Sequence, residues 1–223
     1  MPQFMSNLGG SGGSDAGGTG GSDAGGTGGT DPGGTDPKGS YSVTDPPKAV
    51  TLGPAVIAHR RLHFKIQRQQ QAEWCWAAVA VSVEKFFARH SELQQCQVAN
   101  KLFNKTRNEC CEDPAAYNVP DVLEVVLQII HKWRNTLSGP LTFEQVQGEI
   151  DRGRPVCVRI HWLSGGGHFV VVRGYRLLSS GAQQLYVADP ENPSNLVDYN
   201  EFKVAYYGEG IWAETDFVAS DWA

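Results

Sequence analysis

The hydrophobic period of this chain changes at Gly153, and that change constrains its fold more than any other feature. Before Gly153, apolar residues recur at three and four positions. Between Trp74 and about His90, Val79, Val83 and Phe86 or Phe87 share one helical face. Ala77, Ala78 and Ala80 add helix propensity. A short helix is expected around Gln97–Phe103. Asn118–Pro120 opens another, with Leu123, Val126, Leu127 and Ile130 on one stripe. Thr142 and Gln145 form a capping box, Leu141 and Val146 a hydrophobic staple, and the helix they start should stop at Gly153. Beyond it, Val156, Val158 and Ile160 alternate with Cys157, Arg159 and His161. Further strands are expected at His168–Tyr175, Gln184–Ala188 and about Ile211–Phe217, with an earlier one at Arg61–Ile66. Helices in the first half and strands in the second predict an α+β fold with a mostly antiparallel sheet.

Residues 1–48 stand apart. Of 26 glycines, 15 precede residue 40. From Gly12 to Thr35 the units GGSDAGGT, GGSDAGGT and GGTDPGGT follow one another. Only eight residues in 1–48 are apolar or aromatic, too few to offset the entropy of ordering. The expectation is a disordered Gly/Ser/Thr/Asp-rich tail over 1–48 and one folded domain over 49–223. A solvated spacer is the plainer reading of the tail, and a secretion, targeting or tethering segment the functional one. The tail takes five Asp and two Lys of a chain with net charge -5, which leaves the remaining 175 residues close to neutral. A near-neutral domain argues against nucleic acid as a partner. No apolar run approaches the roughly 18 residues of a membrane span. No secretory signal is recognisable in the first 30 residues, so the cytoplasm or a signal-independent export route is expected.

Three places carry candidate chemistry. Cys75 stands where an irregular stretch becomes a helix, and a helix N-terminus favours a thiolate, which is a nucleophile. Gln69, six residues earlier, could fold back beside the sulfur. With the Cys75 N–H it would offer two donors to a developing oxyanion. A buried cysteine between core tryptophans is the structural alternative. His168 begins a strand after Gly165-Gly166-Gly167, where the ladder would fix its imidazole as a general base. His161 is the rival base. Asp189 ends a strand and is stopped by Pro190, so it could reach sideways to the second N–H of His168. An ordinary Asp-Pro turn is the alternative, and Asn192 the competing orienter.

Gln69 to Ala78, ending Trp-Cys-Trp-Ala-Ala, resembles the active-site helix of papain-like cysteine proteases, in particular their bacterial avirulence-effector branch. The likeness continues in Gln95-Cys96-Gln97-Val98-Ala99-Asn100, Cys110-Cys111, Gly153-Arg154-Pro155-Val156 and Gly166-Gly167-His168-Phe169, and spans roughly residues 55–217. The resemblance implies a two-lobed fold, with a helical lobe, an antiparallel β lobe and the active site in the cleft between them. It implies Cys75 as nucleophile, His168 as base, Asp189 as orienter and Gln69 as oxyanion donor, with Gln70 or Gln71 taking that last role if the loop is shifted. The implied activity is cleavage of protein or peptide substrates through a thioester acyl-enzyme, with no metal or other cofactor. An activating protein partner, a different Cys-dependent acyl transfer (deamidase or transglutaminase-like) and a non-catalytic binding module remain open alternatives.

If Cys75 is catalytic and Cys157 lies in a strand, one bridge from Cys96 to Cys110 or Cys111 is expected. A metal site of these three cysteines plus His90 is the rival. Trp74, Trp76, Trp162, Gly166 and Gly167 are candidates to line the cleft, and Trp212 to shield the His–Asp pair. Glu73 reads as a solvated charge.

Overall fold

The computed structural model describes residues 53–220. The expected tail, 1–48, lies outside them. The elements run β1 (Val56–Arg61), α1 (Cys75–Phe87), α2 (Gln95–Leu102), α3 (Glu109–Glu112), a 3-10 turn (Pro114–Tyr117), α4 (Leu123–Ile129), β2 (Trp133–Ser138), α5 (Phe143–Asp151), β3 (Val156–Trp162), β4 (Gly167–Leu178), β5 (Gln183–Ala188), β6 (Asn195–Asp198), α6 (Tyr199–Val204) and β7 (Gly210–Val218). Mixed helices pack with one antiparallel seven-stranded sheet. Its order is β2-β7-β3-β4-β5-β6, with β1 added on β4.

Local signals explain much of this. Leu123, Val126, Leu127 and Ile130 are all buried. Each such burial contributes roughly 1.5–3 kcal/mol. Without that, a helix of seven residues would not persist. Thr142 caps α5 by accepting from the Gln145 N–H, while the Gln145 side chain accepts from the Thr142 N–H at 2.8 Å. Gly153 follows α5 with φ +76°, the left-handed conformation that glycine supplies.

The early strand is displaced from its expected position. It runs Val56–Arg61, and residues 62–70 form neither helix nor strand. The alternation at Leu62 and Phe64 reports burial, since both side chains enter the core. Their backbone groups find isolated partners: Leu62 N–H donates to the Arg173 carbonyl, and the Phe64 carbonyl accepts from Arg173. Strand β4 explains where the ladder goes. Its first half pairs with β3 over Gly167–Val172, and its second half pairs with β1 beyond Gly174. A Cβ at Gly174 would strike the Arg60 carbonyl, so only glycine fits this crossing. Strands β2 and β6 and helix α6 were not expected from periodicity. Two of the three are short, and β2 exposes most of its residues.

Helix α1 lies against α2, α4 and β4. Its residues 75–83 are all buried, so it forms the spine of the core. Cys96 and Cys111 are bridged, with Cα atoms 4.8 Å apart. Of the two expected pairings this is the Cys111 one, and Cys110 stays free and buried. Closing that loop contributes about 3 kcal/mol in the chain-entropy account. The bridge also removes two thiolates from the rival metal site, which is thereby excluded for this cysteine set.

Candidate active site

The first turn of α1 has no side-chain cap, because Trp74 occupies the cap position and offers no acceptor. Its open N–H groups surround Cys75, which keeps 8% of its surface exposed while Cys110 and Cys157 keep none. Burial pushes the Cys110 thiol up and the Cys157 thiol well up, the latter helped by Asp216. Those two thiols are held neutral. Cys75 instead neighbours His168, whose pKa it helps to raise.

His168 is the second residue of β4, opposite Ile160. The turn before it needs glycine twice, at Gly165 (φ +102°) and Gly166 (φ +85°). A Cβ at Gly167 would press the Ile160 carbonyl at 3.0 Å. The His168 Nε2 lies 2.8 Å from Asp189 Oδ1. Burial disfavours the imidazolium. The hydrogen bond to Asp189 and the neighbouring Cys75 outweigh it, and the pKa rises to about 9.

Asp189 follows the last residue of β5 and is nearly fully buried. Burial would raise its pKa, but the His168 bond and charge and the Glu191 and Asn192 amides bring it below the usual value. Those amides donate at 2.8 and 3.1 Å, an Asx turn built on Asp-Pro. The Tyr206 hydroxyl donates to Oδ2 at 2.9 Å. Burial, with Asp189 alongside, pushes the Tyr206 phenol far up, so it stays a donor. Asn192, the competing orienter, therefore donates to Asp189 instead of touching His168. His161, the rival base, is exposed and lies opposite Gly167.

Gln69 sits on the irregular segment before α1. Its Nε2 donates to the Ala72 carbonyl at 2.6 Å, and its Oε1 is buried with no partner. Its backbone N–H donates to the Pro190 carbonyl at 2.9 Å, which ties the segment to the Asp189 corner. Gln70 is exposed, with its N–H held by the Gln95 side chain. Gln71 is half-buried, and its carbonyl accepts from the Trp74 N–H. Glu73 is exposed, as expected.

The aromatic candidates separate. Trp162 stacks on His168 at 6.2 Å between ring centres and on Tyr206 at 6.4 Å. It covers the imidazole from one face. Trp74 and Trp76, candidates to line the cleft, are both fully buried. Their indole N–H groups donate to the Tyr117 and Val119 carbonyls and pin that segment to α1. Trp212, expected over the His–Asp pair, packs against Phe202 and donates to Thr215. Tyr206 carried no signal in the sequence, and Gln95 stood out there only as part of the Gln95–Asn100 run. Tyr206 acts through its bond to Asp189 and Gln95 through three bonds to residues 67–70, all created by long-range packing.

Among the described residues no group of three His, Cys, Asp or Glu side chains could hold a metal ion. None of the described helices is long and apolar enough to cross a membrane.

This combination of helices and antiparallel sheet is compatible with the α+β fold of papain-like and C39-like cysteine peptidases. The chain belongs to the Peptidase_C39 like family, whose profile matches residues 61–220. Membership points to cysteine peptidase activity, a hydrolase. No curated protein matches the chain.

Proposed function

We propose that this protein is a cysteine endopeptidase using Cys75, His168 and Asp189. The observation that carries the reading is a buried imidazole held 2.8 Å from a buried carboxylate, with Cys75 among the groups that raise the imidazole's pKa. Asp189 occupies Nε2 and leaves Nδ1 for the thiol. His168 takes the Cys75 proton and the pair rests as thiolate and imidazolium. The thiolate attacks a peptide carbonyl, and the oxyanion meets the Cys75 N–H and the second Nε2 hydrogen of Gln69. His168 gives its proton to the leaving amine. Water then resolves the thioester, with His168 again as base. The peptidase domain of the proposal runs over 49–223, with the site in a cleft between a helical and a β lobe. No metal or other cofactor enters the mechanism. The substrate is a protein or peptide, and the proposal includes an activating protein partner.

The test is the pH dependence of Cys75 alkylation by iodoacetamide, read by peptide mass spectrometry, followed by cleavage of a peptide library. Reaction persisting to about pH 5–6, well below the ~8.5 of a free thiol, and lost in His168→Ala, is expected. Reaction that needs about pH 8 in both proteins would overturn the thiolate–imidazolium pair.

A further inference from the structure

Residues 67–70 carry Gln69 but belong to no helix or strand, so their backbone groups need individual partners. Gln67 N–H donates to Ser82 Oγ at 2.8 Å, and Gln69 N–H to the Pro190 carbonyl. Two further anchors come from one side chain. Gln95 Oε1 accepts from the Gln70 N–H at 3.0 Å, and its Nε2 donates to the Arg68 carbonyl at 2.9 Å. The same Nε2 donates to Gln67 Oε1 at 3.2 Å. Gln95 is 1% exposed, and nothing in the proposed chemistry uses it.

We infer that Gln95 is a positioning residue that clamps residues 67–70 and so aims the Gln69 amide at Cys75. The inference rests on the peptidase reading. Only a primary amide suits the task. It presents an acceptor on one side and two donors on the other, at the end of a chain long enough to reach from α2. Leucine would fill the space and satisfy none of the three groups. Glutamate would still accept from Gln70 but could not donate to Arg68 or Gln67. The clamp is itself braced. The next residue, Cys96, is bridged to Cys111, and the Gln94 N–H is held by Gln97 Oε1 at 3.0 Å. The Gln95-Cys96-Gln97 run thus has a division of labour: one residue grips the segment and its neighbours fix the grip.

A clamp of this kind acts on the oxyanion and leaves the thiolate alone, which separates it from a structural role. Gln95→Leu in the full chain is expected to lower kcat for a cleaved peptide about tenfold to a hundredfold, with KM little changed. The rate and pH profile of Cys75 alkylation should not move, because alkylation forms no oxyanion. Hydrogen exchange at the Gln70 amide should rise about tenfold or more. Adding Gln95→Leu to Gln69→Ala should lose nothing further. Should Gln95→Leu fail to fold, Gln95→Glu serves, with Gln67 and Arg68 released and Gln70 still held. Unchanged Gln70 exchange in Gln95→Leu would overturn the inference, and so would multiplying losses in the double variant. Alkylation falling in step with hydrolysis would overturn it too. A wild type that cleaves no peptide, with Gln70 exchange still raised in the variant, would sink the peptidase reading and leave the clamp in place.

Discussion

Asp189 and Asp216 are two buried carboxylates of one sheet, and they differ in almost everything else. Asp189 accepts from His168, Tyr206 and the amides of Glu191 and Asn192, and its pKa is lowered. Among the described residues Asp216 accepts only from Thr136, at 2.7 Å, and its Oδ2 is buried with no partner. Burial then wins there. Helped by Glu214 and Glu124 against Thr136 and Arg159, it pushes the Asp216 pKa up to about 6. Depth in the core is shared, so the donors decide which carboxylate keeps its charge to lower pH. The one that does stands beside an imidazole. The other stands opposite Cys157, whose thiol it helps to keep neutral. One sheet thereby holds an activated corner and a silent one.

The sharpest way to break this contrast is at the activated corner. Cys75→Ala and His168→Ala should each reduce peptide hydrolysis by about 10⁴-fold or more, read as single-turnover rates. Cys110 and Cys157 should stay unlabelled by iodoacetamide in the folded protein, since both thiols are pushed up and neither is exposed.

Next in size, Asp189→Asn keeps the shape of the corner and removes its charge. Hydrolysis should fall about 10²-fold to 10⁴-fold. The alkaline limb of the pH–rate profile should move down from about 9 towards the ordinary imidazole value. A profile that does not move would remove Asp189 from the account of the raised imidazole.

The two corners also set how stability follows pH. His168 has its folded pKa raised to about 9, so its contribution is complete below the unfolded value of about 6.5 and is lost as pH climbs through 9. Asp189 runs the other way, and its contribution is lost as pH falls below about 4. Asp216 is a carboxyl with a raised pKa, so ionising it in the fold costs stability between about pH 4 and 6, by up to about 3 kcal/mol. Asp216→Asn should flatten that decline without touching the one near pH 9. Urea midpoints at pH 4.5, 7 and 9.5 would read both steps. An unchanged difference between the first two would mean that Asp216 is not their source.

Tyr206→Phe is the smallest change. It takes one donor from Asp189 and leaves the others. Stability should fall by about 1–2 kcal/mol, and activity less than tenfold. A loss as large as that of Asp189→Asn would place Tyr206 on a level with the carboxylate itself.

Much of this arrangement was legible in residue order. The stripes of α1 and α4, the capping box of α5 and the alternation of β3 and β4 follow from side-chain period and local hydrogen bonds. Cys75, His168 and Asp189 were legible because each sits at an element boundary that its neighbours announce: a helix start, a glycine turn, an Asp-Pro stop. The misplaced first strand shows the limit. Leu62 and Phe64 alternate because they reach the core, yet they make only isolated bonds to Arg173 of β4, and a strand exists only where a partner supplies a continuous ladder.

The sequence by itself determined that α1, α4 and α5 are helices and that β3, β4, β5 and β7 are strands. It also determined where a thiol, an imidazole and a carboxylate would stand on them. These depend on contacts within a few residues. Only the tertiary structure decided that Asp189 would be crowded with donors and Asp216 starved of them. The same holds for Trp162 covering His168, Trp74 and Trp76 lying inside, and Gln95 gripping the segment of Gln69. Those outcomes join residues far apart in the chain. A hydrogen bond across such a gap leaves no period or spacing to read, because its partners share only the space into which packing brings them.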